Sequence, residues 1–211
     1  MKGTIKTTME LPTIRALMVI LLLAVCSGSV IADSISSKTF KKLTEAQEMM
    51  ARDDIPGAIN ELELLLPEVQ AESLDRALTL QMLGYAEMSA ERFDIAIGHL
   101  RASLALDKLP ESVKYNVGYM VAQLYAALGR YDQALEFASG WFASLENPKP
   151  SQMMFMANIY AQTKRFEEAI PYAENAIETS EQPSESWYQL ITSANFEIKD
   201  FPQAGKWLRR L

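Results

Sequence analysis

The sequence has very little of the side chains that most often carry reactive chemistry. Its 211 residues include one cysteine, Cys26, and one histidine, His99. A single thiol cannot form a disulfide within the chain or a Cys-ligated zinc site, and a lone histidine is more often structural than a ligand. Glycine-rich phosphate loops and Asx-rich calcium loops are also absent from the sequence. These absences argue against an enzyme and against a resident metal or cofactor.

The one long apolar run lies near the N-terminus. Basic residues precede an apolar segment at 16–26, and Val30-Ile-Ala32 then offers the small side chains that suit signal peptidase. The apolar segment is about half the roughly 20 residues that span a bilayer. The sequence therefore predicts a signal peptide at 1–32, cleaved before Asp33, and export of the mature chain. An uncleaved anchor is the alternative.

Cys26 follows the apolar segment directly, so acylation of its thiol is a second alternative. Val25 stands where a lipoprotein has a small residue, and this argues against lipidation. Loss of residues 1–32 removes three basic residues and Glu10, which takes the formal charge from −7 to −9. We expect an acidic, cysteine-free mature chain that does not bind nucleic acid and does not itself span a membrane.

A short motif recurs along the rest of the chain, with a large apolar residue three positions before an alanine. The copies are Ile55–Ala58, Phe93–Ala96, Tyr131–Ala134, Phe166–Ala169 and Phe201–Ala204. The alanines lie 38, 38, 35 and 35 residues apart. This period, with apolar residues at i, i+3, i+4 and i+7 around each copy, is typical of stacked helix pairs. The sequence predicts an all-α solenoid over 33–211.

Small residues and prolines define the predicted units. Gly84, Ala122 and Ala157 are predicted where the first helix of a unit presses on the second, and the motif alanines where the second helix meets the next unit. Prolines between units stop the helices. The predicted units are 39–67, 77–110, 115–148, 150–183 and 185–211. The fifth has one extra residue before Phe201 and no polar capping helix, so we expect it to be incomplete or covered by a partner.

These features resemble the tetratricopeptide repeat (TPR), in which Leu-Gly, aromatic-x-x-Ala and Pro occur in this order. The amino-acid sequence of 75–211 further resembles that of periplasmic TPR proteins of TonB systems. The segments that carry this resemblance are 121–125, 129–131, 141–148, 186–190 and 196–201. This resemblance implies a protein-binding scaffold in the periplasm of a Gram-negative bacterium, where it assists a TonB–ExbB–ExbD complex in outer-membrane uptake. A TonB- or ExbD-type segment would be its partner.

Two other functions stay open. One is a TPR factor for envelope assembly, cell-wall synthesis or the Tol–Pal system. The other is a chaperone for metal or cofactor insertion, for which the only support is the methionine cluster in 152–156, since thioethers bind Cu(I). Helical spacing predicts Met153 and Met156 on the packed face and Met154 on the opposite face, which favours core packing over metal binding.

The resemblance also implies a binding groove, because the first helix of each TPR unit lines the concave side. The residues projected onto this groove are mostly amides and tyrosines, and none is charged. They are Gln81, Tyr85, Met88, Asn116, Tyr119, Gln123, Met154, Asn158, Gln162, Tyr188, Thr192 and Asn195. Amides can bond a peptide backbone and tyrosines add rigid contact area; an ordinary polar face is the alternative. Trp141 replaces a small residue and is predicted either to fill a gap between units three and four or to contact a partner.

Overall fold

The computed structural model describes residues 35–211, so the predicted signal peptide and Cys26 lie outside the described residues. Within this range the chain forms ten α-helices and no strand. They are α1 (Ser37–Ala51), α2 (Ile55–Leu65), α3 (Leu74–Ser89), α4 (Phe93–Ala105), α5 (Glu111–Ala127), α6 (Tyr131–Ala143), α7 (Pro150–Gln162), α8 (Phe166–Thr179), α9 (Glu185–Glu197) and α10 (Phe201–Leu208). A short 3₁₀ turn, Leu66–Glu68, follows α2. None of these helices combines the length and the apolar character that crossing a bilayer requires.

The helices pack as five consecutive antiparallel pairs. The most extensive contacts are within each pair, and each second helix also packs on the first helix of the next pair. The first helices of units one and two touch each other, as do those of units four and five, whereas successive second helices are not in comparable contact. The first helices therefore lie on the inner, concave side of the array. The all-α solenoid expected from the sequence is confirmed.

The same turn joins the two helices of every pair. Its central residue has a positive φ of 60–71° in all five units, at Asp53, Glu91, Gly129, Lys164 and Lys199. The next residue donates its N–H to a carbonyl five residues back, as Arg130 does to Tyr125 at 2.8 Å. This is the Schellman arrangement that ends a helix. The turn residues are spaced like the motif alanines, so one register runs through all five units.

Small side chains lie where helices approach most closely. A Cβ added at Gly84 would lie 2.5 Å from Leu100 Cδ2, which leaves no room for any side chain between α3 and α4. Ala122 and Ala157 are fully buried at equivalent positions, and the motif alanines are at most 5% exposed. The predicted contact of Gly84 with the second helix of its own unit is therefore confirmed. That the motif alanines meet the next unit stays a prediction.

Alanine substitutions of two glycines, one in a turn and one inside a helix, should have opposite effects on the free energy of unfolding. Gly129 has φ +71°, where alanine is strained, so Gly129→Ala should lower the free energy of unfolding by about 1 kcal/mol. Gly140 lies inside α6, where alanine is the better helix former, so Gly140→Ala should raise it by about 0.5–1 kcal/mol. Denaturant unfolding followed by circular dichroism measures both.

The two variants are matched, because no packed atom of the described residues lies within 4 Å of either added Cβ. Only the backbone conformation differs between the sites. Changes of the same sign in both variants would contradict the assigned turn.

Candidate protein-binding groove

The common register identifies the residues that repeat along the concave side. Counting six residues back from each turn residue gives a row of uncharged side chains on the first helices. This row is Gln47, Tyr85, Gln123, Asn158 and Ser193. None of the five is fully buried. The row runs through all five units, so it offers an extended ligand one uncharged position per unit.

In units two and three the row is made of amide–phenol pairs one helical turn apart. Gln81 Nε2 donates to the Tyr85 hydroxyl at 2.9 Å, and Tyr119 is hydrogen-bonded to Gln123. Burial raises the pKa of both phenols, and the hydrogen bond to glutamine lowers it in part. Both tyrosines are therefore neutral at physiological pH.

The aromatic rings of Trp141 and Phe155 pack against Tyr119 and fix its orientation. Its ring stacks on the Trp141 indole with centroids 3.8 Å apart, and the edge of Phe155 lies 5.1 Å away. Trp141 is only 4% exposed, between α5, α6 and α7. The indole thus fills the space between units three and four, as one of its two predicted roles required. The sequence signalled this site by placing a tryptophan where a small residue is usual, but it did not indicate the stack with Tyr119.

The Asn158 side chain is less free to bind a partner than the sequence suggested. Its Nδ2 donates to the Met154 carbonyl at 2.9 Å on its own helix, a bond that fixes the side chain along α7. The side chain is still half-exposed. Gln162, one turn further along, and Asn116 on α5 are exposed.

Three residues projected onto units two to four are buried, so they do not form accessible surface. Gln81, Met88 and Met154 are 7%, 5% and 3% exposed. For Met154 the expected orientation is wrong: it packs in a core cluster with Ala157, Ile177 and others, because the neighbouring unit covers this side of α7. Met156 is buried as predicted, at 1% exposed.

The register of unit five also differs from the expected one. Lys199 follows Lys164 by 35 residues, as Lys164 follows Gly129, and Phe201 lies two residues after Lys199, as Phe166 does after Lys164. There is therefore no extra residue before Phe201. The projected Tyr188, Thr192 and Asn195 are accordingly out of register. Tyr188 is half-exposed, but the Thr192 hydroxyl is buried and Asn195 is 2% exposed, with its amide bonded to the Ile191 carbonyl.

Two exposed residues of unit five are in register with groove residues of unit three, Gln189 with Tyr119 and Ser193 with Gln123. The exposed Glu197 is in register with Gln162. Gln189 and Ser193 are exposed on α9 and are uncharged. Together with the accessible residues of units two to four they form a surface that we call the concave polar face. It consists of Tyr85, Asn116, Tyr119, Gln123, Asn158, Gln162, Gln189 and Ser193.

Other concavities offer less chemistry. An open cleft of about 500 Å³ beside α2 is lined by Ile55, Pro56, Ile59, Asn60, Glu63, Ala90 and Arg92. The Arg92 guanidinium is paired with the buried Glu87 carboxylate. Among residues 35–211, no group of His, Cys, Asp and Glu side chains is arranged to hold a metal ion. We assign no catalytic or metal-binding role to these places.

Comparison with known proteins agrees with this architecture. A tetratricopeptide-repeat family model matches residues 153–183, which is most of unit four. The chain resembles the structure of MamA from Desulfovibrio magneticus RS-1, with a TM-score of 0.65, 14% identity, and coverage of 84% of this chain and 94% of that one. A second structure of MamA protein gives a TM-score of 0.65 and 19% identity, covering 81% and 88% of the two chains.

TPR-like repeats of a kinesin-light-chain-type protein from Podosopora anserina are also similar, with a TM-score of 0.61, 19% identity, and coverage of 82% and 92%. No curated protein sequence matches the chain. At these identities the likeness concerns the fold. The described residues form a TPR-type α-solenoid, an architecture whose stacked units create an extended concave surface. Its fourth unit is itself a recognisable tetratricopeptide repeat.

The buried Thr192 hydroxyl in unit five gives a prediction about stability. Thr192 occupies the position of Ala122 and Ala157, and its buried Oγ1 has no hydrogen-bond partner among the described residues. Thr192→Val should therefore raise the free energy of unfolding by about 1 kcal/mol, because a methyl group replaces an unsatisfied hydroxyl. Thermal and urea unfolding both measure this change.

Thr79 is the matched control. It is fully buried, but its hydroxyl donates to the Asp75 carbonyl at 2.7 Å. Thr79→Val should lower the free energy of unfolding by about 0.5–1.5 kcal/mol, since a satisfied bond is lost. A stabilised Thr79→Val together with a destabilised Thr192→Val would contradict this description of unit five.

Proposed function

We propose that the protein is a non-enzymatic periplasmic scaffold whose concave polar face binds an uncharged, extended segment of a partner protein. The observation that carries the proposal is the continuity of that face. Eight accessible residues on four successive first helices are polar or aromatic, and none is charged. The whole chain, in contrast, has 47 charged side chains and a formal charge of −7.

The chemistry of the face suits a peptide backbone. Amide side chains offer both donors and acceptors, so they can pair with the N–H and C=O groups of an extended segment. Tyr119 adds a rigid apolar surface, and its stack on Trp141 fixes its orientation before any partner arrives. A side chain that is already ordered loses little conformational entropy on binding.

The lack of cations separates this groove from those that hold a terminal carboxylate. Recognition of a carboxylate relies on Lys or Arg, which give the strongest hydrogen bonds to it. None of the residues of the concave polar face is basic. We therefore infer an internal segment of the partner rather than its C-terminus.

A TonB–ExbB–ExbD complex is the setting we propose for this scaffold. Two features of the sequence support it: the resemblance of 75–211 to periplasmic TPR proteins of TonB systems, and the expected signal peptide at 1–32. The chaperone alternative has lost most of its support, because Met154 and Met156 are 3% and 1% exposed and are used in packing. An envelope-assembly factor would use the same face on another partner.

Two added charges test the groove. Gln123→Glu with Gln162→Glu places two carboxylates on the concave polar face while keeping the size of the side chains. We expect at least a tenfold loss of affinity, about 1.4 kcal/mol, because an uncharged segment would have to bury them unpaired. The ligands are fluorescent peptides that tile the periplasmic parts of TonB and ExbD proteins of the source organism, and fluorescence anisotropy gives the affinity.

The matched control carries the same two charges on the outer helices. Gln133 and Asn175 are exposed on α6 and α8, so Gln133→Glu with Asn175→Asp should leave the affinity within about twofold. Equal losses in both double variants would contradict the groove. If no TonB or ExbD peptide binds, the proposed setting is wrong.

The uncharged lining also predicts that binding responds weakly to salt. Raising NaCl from 50 to 500 mM should change the dissociation constant by less than about threefold, because screening acts on charges and the face has none. Isothermal titration at several salt concentrations measures this. A steep loss of affinity with salt would place the binding site on a charged surface instead.

A further inference from the structure

Ion pairs join neighbouring units beside the turns of the helix pairs. The residue after the positive-φ turn residue is arginine in units two, three and four: Arg92, Arg130 and Arg165. Arg130 Nη1 lies 2.5 Å from Asp94 Oδ1, and Asp94 belongs to the preceding unit, one residue after the motif residue Phe93. The guanidinium of unit three therefore meets a carboxylate that unit two supplies.

The boundary between units three and four has the same two residue types. Asp132 is in register with Asp94, and Arg165 is in register with Arg130. The pKa of the Arg165 guanidinium is raised, chiefly by its hydrogen bond to Glu168 and to a smaller degree by the negative charge of Asp132. The charge of Asp132 thus acts on an arginine of the next unit, as that of Asp94 does.

The boundary between units one and two lacks this carboxylate. Pro56 stands where the next two units have Asp94 and Asp132. Pro56 and Arg92 both line the open cleft of about 500 Å³ beside α2, so the cleft lies next to both positions of the missing pair. Its volume is within the range of ligand-binding sites, roughly 300–1,000 Å³.

A buried carboxylate holds Arg92 in this cleft. Arg92 Nε forms an ion pair with Glu87 Oε2, although the contact lacks the geometry of a hydrogen bond, and Glu87 is only 2% exposed. Withdrawal of Arg92 would leave that buried charge without its partner, which is strongly unfavourable. The Arg92 side chain is 48% exposed, and within residues 35–211 its Nη1 and Nη2 have no partner. The guanidinium is therefore held in place with two nitrogens available to a ligand.

The rest of the lining defines what else a ligand must carry. An aliphatic side chain can pack on the apolar part of the cleft, which consists of Ile55, Pro56, Ile59 and Ala90. Asn60 offers an exposed amide, and the exposed Glu63 carboxylate would repel a second anionic group. One carboxylate beside an aliphatic side chain fits this lining, and a polyanion does not.

We propose that this cleft is a second binding site, separate from the concave polar face, and that it takes one Asp or Glu side chain with an adjacent aliphatic residue from a partner protein. The carboxylate pairs with the free nitrogens of Arg92, as Asp94 pairs with Arg130. The aliphatic residue packs on Ile55 and Ile59. The partner thus supplies the acidic side chain that unit one lacks.

Three nine-residue peptides test the site by NMR titration of the ¹⁵N-labelled protein. The first is Gly-Ser-Ser-Leu-Asp-Leu-Ser-Ser-Gly, acetylated and amidated so that Asp carries its only charge; the other two have Asn or Lys in place of Asp. We expect the Asp peptide to bind at least about tenfold more tightly than the Asn peptide, with the largest shifts at Asn60, Ala90 and Arg92. Equal affinities, no binding of the Asp peptide, or shifts confined to other surfaces would overturn the proposal.

Pro56→Asp tests the site from within the chain, because it supplies the carboxylate that the next two units have. Asp is also favourable in the first turn of α2, where Pro56 lies. The new carboxylate should pair with Arg92 and weaken the Asp peptide at least about tenfold. Pro56→Asn is the matched uncharged control and should keep the affinity within about threefold. Equal losses in both variants would overturn the proposal.

Arg92→Gln is combined with Glu87→Gln, because removal of Arg92 alone would leave the buried carboxylate unpaired. This double variant should bind the Asp and Asn peptides equally, and a retained preference for Asp would overturn the proposal. The groove variant Gln123→Glu with Gln162→Glu should bind the Asp peptide as the unchanged protein does. Loss of binding there would place the peptide on the concave polar face instead.

Two further measurements separate other occupants of the cleft. Sodium acetate that binds as tightly as the Asp peptide would indicate an anion site that does not recognise an aliphatic neighbour. Sedimentation that shows dimers of the protein, lost in Pro56→Asp, would assign the cleft to a second copy of the chain. Either result would overturn the proposal.

Discussion

The close approach of α3 and α4 over Gly84 is the kind of contact on which the whole array depends. A side chain at position 84 would overlap Leu100, so the backbone of α3 lies directly against the Leu100 side chain of α4. Ala122 and Ala157 are fully buried at the equivalent positions of units three and four, and the motif alanines are buried as well. In each pair, the turn after the first helix also contains a residue with a positive φ. Because one geometry recurs, equivalent side chains fall into rows, and one such row contributes Tyr85, Gln123, Asn158 and Ser193 to the concave polar face.

The chemistry of the concave polar face follows from where its residues lie. They are exposed or half-exposed positions on the first helices, so uncharged polar residues cost little there. Tyr119 is held in this surface by its stack on Trp141. Binding an extended segment is the role of a scaffold and requires no reactive side chain.

Units three and five show how departures from the repeat pattern alter the surface. In unit three, Trp141 takes the place of a small residue and supports Tyr119 through a stack at 3.8 Å. That packing makes the tyrosine part of a rigid wall. In unit five, Thr192 stands where alanine is usual, and the buried Trp207 indole also has no partner for its Nε1 among the described residues. Unit five therefore contains two buried polar atoms, Thr192 Oγ1 and Trp207 Nε1, that lack a hydrogen-bond partner among the described residues.

The sequence by itself determined the fold class, the small-residue contacts and the packing of Met156, because a period of 35–38 residues and helical spacing leave few other ways to bury the apolar positions. It also indicated an uncharged groove. Only the tertiary structure decided which groove residues are accessible. Met88 and Met154 are covered by packing, and one residue of register moves the unit-five groove positions from Tyr188 and Thr192 to Gln189 and Ser193. A helix turns about 100° per residue, so a shift of one position carries a side chain from the surface into the core.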